Sequence, residues 1–574
     1  MTKPEWHVTA PTWPFVIRIS SFFRHSSLGI RHWHAAGARK LAGRTKVLLC
    51  LPALVYLLLA AQWHQRGADR PGGDEPYYLL AAESLADDFD VDLKNNLRKH
   101  GSHPAGMNES HLILQPHGWF SVHNLGLPAF VSLPWAVGGP WGARLMMALG
   151  CGLAAPILYR TISRIWPSPA GALMMSLSLA LAMPFLHASN QIYPDLLAGI
   201  LLLFAADKAL AAEPDAPTLR WRDLLLPAAL ALLPWLHVKY TGAAVVALAW
   251  YVHAGPRPRS FITGAALGAS VALLACYNGY AFGKATGPYQ PGALAVGINS
   301  AIVFLGLHFD QTQGMFFEQP LWLLGLIGLA PFWRHAPNSC LWWLLLYAAA
   351  IVPNALHPAW YGGHSFVGRF GATAVLLWAV PLAHASRELF GNSVRGPALL
   401  AALSIALQTY LARNWLTAGD GLFHQDGRPG LWEGCVWAYN SFYPPALKEY
   451  LPYWQPYVEF WRHPANLAVL VVAAGLLICG FFCERRRAAI GCTMATALLA
   501  AAVLSMPAKS YPAACAADEA LGFVGRQEPG RRIAREALDD EGVMAKTPHL
   551  FPAPGYYRIV VDYEADGEGD HAGL

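Results

Sequence analysis

The sequence predicts an all-α polytopic membrane protein with about thirteen transmembrane helices, a large first loop and a short C-terminal extramembrane tail with some β structure. Three observations predict it. Only 13% of the 574 residues are charged while 55% are hydrophobic, against about 25% charged in a soluble chain. Apolar runs near spanning length recur from Val47 to residue 506. Lys and Arg cluster in every second short loop between those runs.

Residues 1–46 form a basic, aromatic N-terminal tail carrying Arg18, Arg24, Arg31, Arg39, Lys40, Arg44 and Lys46. The apolar run after it, Val47 to Trp63, lacks a convincing small-residue cleavage site and reads as a retained anchor. Residues 47–506 form the membrane domain. After the polar loop 64–123, spans are expected over 126–160, 168–186, 192–210, 224–238, 240–255, 261–281, 316–333, 341–356, 370–386, 397–412, 465–482 and 488–506. Gly138-Gly139-Pro140 breaks the first of these, giving a bent helix, a re-entrant pair or two spans. The loop 413–464 is rich in Trp and Tyr and reads as an interfacial belt, with a lid over the site as the sharper reading. In the tail, 507–574, Arg531 to Leu538 is polar and helix-like, and 551–563 reads as a turn and a strand. The nine cysteines form no Cys-x-x-Cys pair and mostly lie in apolar runs, as small packing residues do.

With the basic N-terminus in the cytoplasm, the cationic turns fall on the same side: Arg160 and Arg164; Lys208, Arg220 and Arg222; Arg257 and Arg259; Arg334; Arg387 and Arg395; Arg485 to Arg487. The opposite face holds the 64–123 loop, Asn190 to Asp195, His237 to Tyr240, the 283–315 loop, His357 to Arg369 and the 413–464 loop. Nearly every carboxylate, His and unusual cation near a span lies on this face. A channel or transporter would place them near the midplane, between broken helices.

The first loop contains Gly73-Asp74-Glu75-Pro76-Tyr77-Tyr78, where Pro76 suits the first turn of a helix reaching about Leu85. Spacing alone fits a helix cap and solvated acidic loop equally well. A carboxylate at a membrane surface can also take the proton of an attacking hydroxyl. Lys239 and Arg369, at outer helix ends, could grip a phosphate or merely snorkel. Asp195 and Asp310 line a pocket or cap helix ends. His123, His237, His357 and His364 share no ligand spacing, so no metal is assigned. Asp87, Asp88, Asp90 and Asp92 lack the Gly and terminal Glu of a calcium loop and read as a solvated face.

The stretch Gly73 to Leu93 resembles the first-loop signature of the GT-C superfamily of membrane glycosyltransferases, in the bacterial branch near protein O-mannosyltransferases and the lipid A aminoarabinose transferase. Gly118 to Pro128, Ile192-Tyr193-Pro194-Asp195, Leu233 to Tyr240, Phe309 to Gly314 and Trp360 to Arg369 come after it in the family's order, across residues 45–390. The resemblance implies an inverting transfer of a sugar from a polyprenyl-phosphate donor to an extracytoplasmic lipid, polysaccharide or protein. It implies Asp74 as the base, with Glu75 as an alternative base or an acceptor-positioning group. It implies substrate or phosphate binding by Lys239, Arg369, His123, Tyr193, Asp195, His237, Tyr240, Asp310 and His364. Some relatives bind a divalent metal and others do without. The expected setting is the bacterial inner membrane, N-terminus cytoplasmic and C-terminus periplasmic, with membrane lipids and no nucleic acid as partners. The tail is similar to the opening of a sugar-binding β-sandwich. A lipid-sugar flippase and a non-catalytic envelope scaffold are the competing classes.

Overall fold

The structure is a computed structural model; it describes residues 38–67, 71–100, 111–212, 221–288, 294, 296–311, 313–357, 365, 368–417, 451–452, 454, 464–482, 526–528 and 531–533. The chain divides into Met1–Leu48 and Leu49–Leu574. Of the first unit little beyond helix α1 (Ala38–Leu49) is described. The expected span 488–506 and the 551–563 strand lie outside the described residues, as does most of the 413–464 loop.

The second unit is mostly helical. Helix α2 (Leu51–Gln65) opens with Pro52 in its first turn and leads to Gly67 at a φ of 65°. The first loop then forms α3 (Glu75–Glu83), which continues as one wider turn, Ser84–Asp88. The hairpin β1 (Leu112–Gln115) and β2 (Gly118–Ser121) closes the loop in antiparallel register, Leu112 opposite Ser121.

Helix α4 (Gly126–Gly152) is bent where expected: Gly139 has φ 57° and ψ −144°, outside helical values, and Pro140 comes next. Then come α5 (Ala154–Ile165), α6 (Pro169–Ala180) and α7 (Asp195–Leu210). The 224–255 region is two short helices, α8 (Leu225–Leu236) and α9 (Thr241–Ala254), separated by extended His237 and a 3-10 turn. Helices α10 (Arg257–Phe282), α11 (Ile298–Phe309), α12 (Leu324–His335), α13 (Pro337–Ala355), α14 (Arg369–Val375), α15 (Ala379–Phe390), α16 (Arg395–Thr417) and α17 (Pro464–Phe482) complete the bundle. In the tail, Arg531–Ile533 is a strand paired with Arg526–Glu528, where the sequence suggested a helix.

Among the described residues, four helices are long and apolar enough to cross a membrane: Gly43–Gln65, Gly126–Ile165, Arg257–Phe282 and Pro464–Phe482. Pro337–Ala355 and Arg395–Thr417 are of comparable length but less apolar, and several other expected spans form shorter or broken helices. Pro169–Ala180, for example, stops after twelve residues, ahead of the turn Phe185–Ala188. One apolar core joins these helices, with Trp63, Trp166, Trp250, Trp322 and Trp343 almost fully buried.

One helix crossing brings two charged helix ends together. Helix α7 packs on α14, and Gly199 lies at the crossing. A Cβ at Gly199 would sit 2.7 Å from the Ala372 carbonyl oxygen and 2.8 Å from that of Thr373. Only glycine permits this approach, and it holds the N-terminal ends of both helices, Asp195 and Arg369, side by side.

Candidate functional site

The site is built from three helix ends, one 3-10 turn and one hairpin. Asp195 opens α7 and Arg369 opens α14; Lys239 lies in the turn between α8 and α9; Asp74 lies at the N-terminus of α3. The Asp195 carboxylate is fully buried. It accepts from Lys239 Nζ at 2.8 Å, from the Tyr240 hydroxyl at 2.6 Å and from Arg369 Nε at 2.8 Å. Arg369 reaches on through Nη1 to Asp74 Oδ2 at 3.0 Å. Its guanidinium lies 4.2 Å over the Tyr193 ring, and Lys239 Nζ lies 4.5 Å over that of Phe370. Two carboxylates and two cations thus alternate along one line, buffered by aromatic faces.

Tyr193 ties the first loop to this line. Its hydroxyl accepts from the Asp74 backbone N–H at 3.1 Å and donates to the Gly72 carbonyl at 3.3 Å. The other Asp74 oxygen, Oδ1, faces His111 Nδ1 at 3.7 Å and His123 Nε2 at 3.9 Å. The two rings stand 3.3 Å apart, nitrogen to nitrogen. They flank the open end of the hairpin, where the Val122 N–H donates to the His111 carbonyl. Burial alone would raise the Asp74 carboxyl. The charges of His123, Arg369 and His111 and the Arg369 hydrogen bond outweigh it and hold the group below the usual carboxylate range. Burial also pushes His123 down to about 4. At neutral pH that ring is uncharged, whereas Arg369 stays a cation beside Asp74.

No protein-family model and no curated protein sequence matches the chain. Among solved structures, the matches include two of one protein and one of another. ArnT from Cupriavidus metallidurans bound to undecaprenyl phosphate aligns at 13% identity and a TM-score of 0.42, over 80% of this chain and 75% of that one. Its apo state gives 13% identity and a TM-score of 0.44, over 81% and 75%. The apo oligosaccharyltransferase of Archaeoglobus fulgidus gives 14% identity and a TM-score of 0.38, over 70% and 60%. At these scores the likeness bears no weight, and the chemistry rests on the side chains.

Of the residues singled out in the sequence, Asp74, Lys239, Arg369, His123, Tyr193, Asp195 and Tyr240 come together. His237 borders them: its Nδ1 accepts from the Lys239 backbone N–H at 3.2 Å, fixing the turn that carries the lysine. Asp310 is engaged elsewhere. It accepts from the backbone N–H of Gln313 and of Trp454, both at 3.0 Å. It is linked to the site through Gln313, whose side chain accepts from the Gly368 N–H at 3.0 Å. His364 lies outside the described residues. Glu75 is fully buried, its oxygens accepting from the N–H groups of Ile192 at 2.7 Å and Gly72 at 3.0 Å, with Arg144 Nη2 3.5 Å away. The acidic cluster is largely satisfied within its loop: Asp88 accepts from Asn95 and Asn96, and Asp92 from the Trp119 and Lys94 N–H groups. Trp454, from the aromatic loop, is buried rather than at an interface.

Sequence reasoning missed His111 and Arg144. His111 becomes meaningful only with the hairpin register, and Arg144 sat inside an expected span. The missing signal for the first was the alternation of Leu112–Gln115 and Gly118–Ser121 around a two-residue turn. Asp74 Oδ1, His111 Nδ1 and His123 Nε2 lie within 4.8 Å of one another. Two imidazoles and one carboxylate are a donor set suited to a zinc-like or iron-like divalent ion, so these residues fit a metal.

Proposed function

We propose that this chain is an integral membrane glycosyltransferase that moves a sugar from a polyprenyl-phosphate donor to a hydroxyl or amine acceptor outside the cytoplasm, with inversion. The observation that carries the reading is the Arg369 guanidinium bridging Asp74 and Asp195 while Lys239 shares Asp195. One carboxylate suited to accept a proton thereby stands beside two cations suited to hold a phosphate.

The step balances as a single displacement. An acceptor oxygen or nitrogen forms its bond to the anomeric carbon as the carbon–oxygen bond to the phosphate breaks. The acceptor's proton passes to Asp74 Oδ1, the oxygen that Arg369 does not hold. Polyprenyl phosphate departs with the bonding electrons, and its charge is held by Lys239 and Arg369. Asp195 positions those two cations, and Tyr193 fixes the Asp74 backbone. A divalent metal, if bound, would be held by Asp74, His111 and His123 and would supply Lewis-acid polarisation of a substrate oxygen. The about thirteen spans, the cytoplasmic N-terminus and the inner-membrane setting belong to this same reading.

Transfer from a synthetic polyprenyl-phosphate sugar by the purified, lipid-reconstituted protein tests it. Asp74→Asn should cut turnover by about two to four orders of magnitude, the usual worth of a general base. Lys239→Met should weaken donor binding. Undiminished transfer by Asp74→Asn would remove the proposed base.

A further inference from the structure

Glu75 and Arg144 form a second charged pair directly behind the site, and both side chains are almost fully buried. Their partners come from three separate stretches. Glu75 Oε1 accepts from the Ile192 N–H at 2.7 Å, and Oε2 from the Gly72 N–H at 3.0 Å. Arg144 Nη2 stands 3.5 Å from Oε2, and Arg144 Nη1 donates to the Asn190 carbonyl. Arg144 rides on α4, five residues beyond the bend at Gly139. The pair therefore ties the Gly72–Asp74 turn and the 190–192 stretch, which leads into Asp195, to one rigid helix.

We propose that Glu75 and Arg144 act as positioning residues for the transfer: together they fix the backbone of Asp74 relative to Asp195 without touching substrate. This rests on the reading of Asp74 as the base. The geometry separates two neighbouring acids by role. Asp74 faces the histidines and Arg369, whereas the Glu75 oxygens are occupied by two backbone N–H groups and face Arg144. A carboxylate so engaged has no open approach for an acceptor proton. Removing only one member of the pair strands a buried charge; removing both leaves a neutral contact of similar shape.

The test uses the reconstituted full chain with Glu75→Gln, Arg144→Met, the double variant, and Asp74→Asn with and without Arg144→Met. Folded protein is quantified by size exclusion, so that turnover is expressed per folded molecule. Glu75→Gln should lower kcat about a hundredfold, the scale of a misplacement near one ångström. Its KM for donor should stay near the parent value, because Lys239 and Arg369 remain held together by Asp195. The double variant should recover at least about tenfold of that loss, whereas Arg144→Met should rescue nothing in Asp74→Asn. A double variant no faster per folded molecule than Glu75→Gln overturns the positioning role, as does a Glu75→Gln loss carried in donor KM. Full activity of Asp74→Asn would instead sink the assignment of the base, whatever the double variant does.

Discussion

Asp74 and Arg369 govern each other's ionisation, and that makes the base testable by pH. With its carboxyl held below the usual range, Asp74 favours the folded state above the unfolded-state value of about 4 and loses that contribution as pH falls through its own lower value. The acid limb of transfer should therefore lie below the ordinary carboxylate range. Arg369→Met removes a cation beside Asp74, so any residual activity should show an acid limb displaced to higher pH. A limb that does not move would mean that another group titrates. Next to this pair, Gly368 has a φ of 76°, and a Cβ there would lie 2.2 Å from Glu318 Oε1. A side chain in the left-handed region costs about 1–2 kcal/mol, and the buried Glu318 carboxyl must also move. Gly368→Ala should lower the unfolding temperature and, by shifting the start of α14, weaken donor binding; thermal unfolding and a donor titration read the two effects separately.

The elements matter because the site exists only where helix ends converge. Asp74 and Arg369 are 295 residues apart in sequence, and Lys239 and Asp195 are 44 apart. Their residue types and positions beside apolar runs were legible, since ionisable groups avoid lipid and so gather at helix ends. Their mutual contacts were not, because a contact depends on which helices pack. The bend at Gly139 was legible for a local reason: Gly-Gly-Pro cannot continue a regular helix. The role of Arg144 just beyond it was not, because a cation in an apolar run reveals its partner only after folding. Gly199 likewise looks like any small residue in a span. It is instead a point where α7 runs against the α14 backbone, and Gly199→Val should push the two apart. The expected result is a folded protein with transfer reduced by at least about a hundredfold, checked against a helical circular dichroism spectrum close to the parent's. Unchanged transfer would show that the crossing does not set the site.

At the scale of the whole molecule, α7 links two differently charged ends. Asp195 opens it within the site, and Asp207 near its other end pairs with Arg160 at 2.5 Å and Arg164 at 3.2 Å. Twelve residues at 1.5 Å each separate those carboxylates by about 18 Å along the axis. This is the physical form of the asymmetry visible in the sequence, where cations marked one set of turns and carboxylates and histidines the other. A surface-acting transferase requires that asymmetry to span the bilayer, with the first loop on one side and the Asp207 end on the other. Lys99 in the first loop and Arg222 just before α8 are both exposed and outside the proposed catalytic cluster. Single cysteines at these two positions, in a background with the nine native cysteines replaced, should react with a membrane-impermeant maleimide from opposite sides. Lys99→Cys should label in intact spheroplasts and Arg222→Cys only in inverted vesicles. Labelling of both from one side would place the acidic line and the basic turns on the same surface, and a displacement fed by an outward-facing lipid donor would lose its geometry. Labelling from opposite sides combined with donor crossing the bilayer at an undiminished rate in Asp74→Asn would favour a flippase over a transferase, because transport needs the path and not the base.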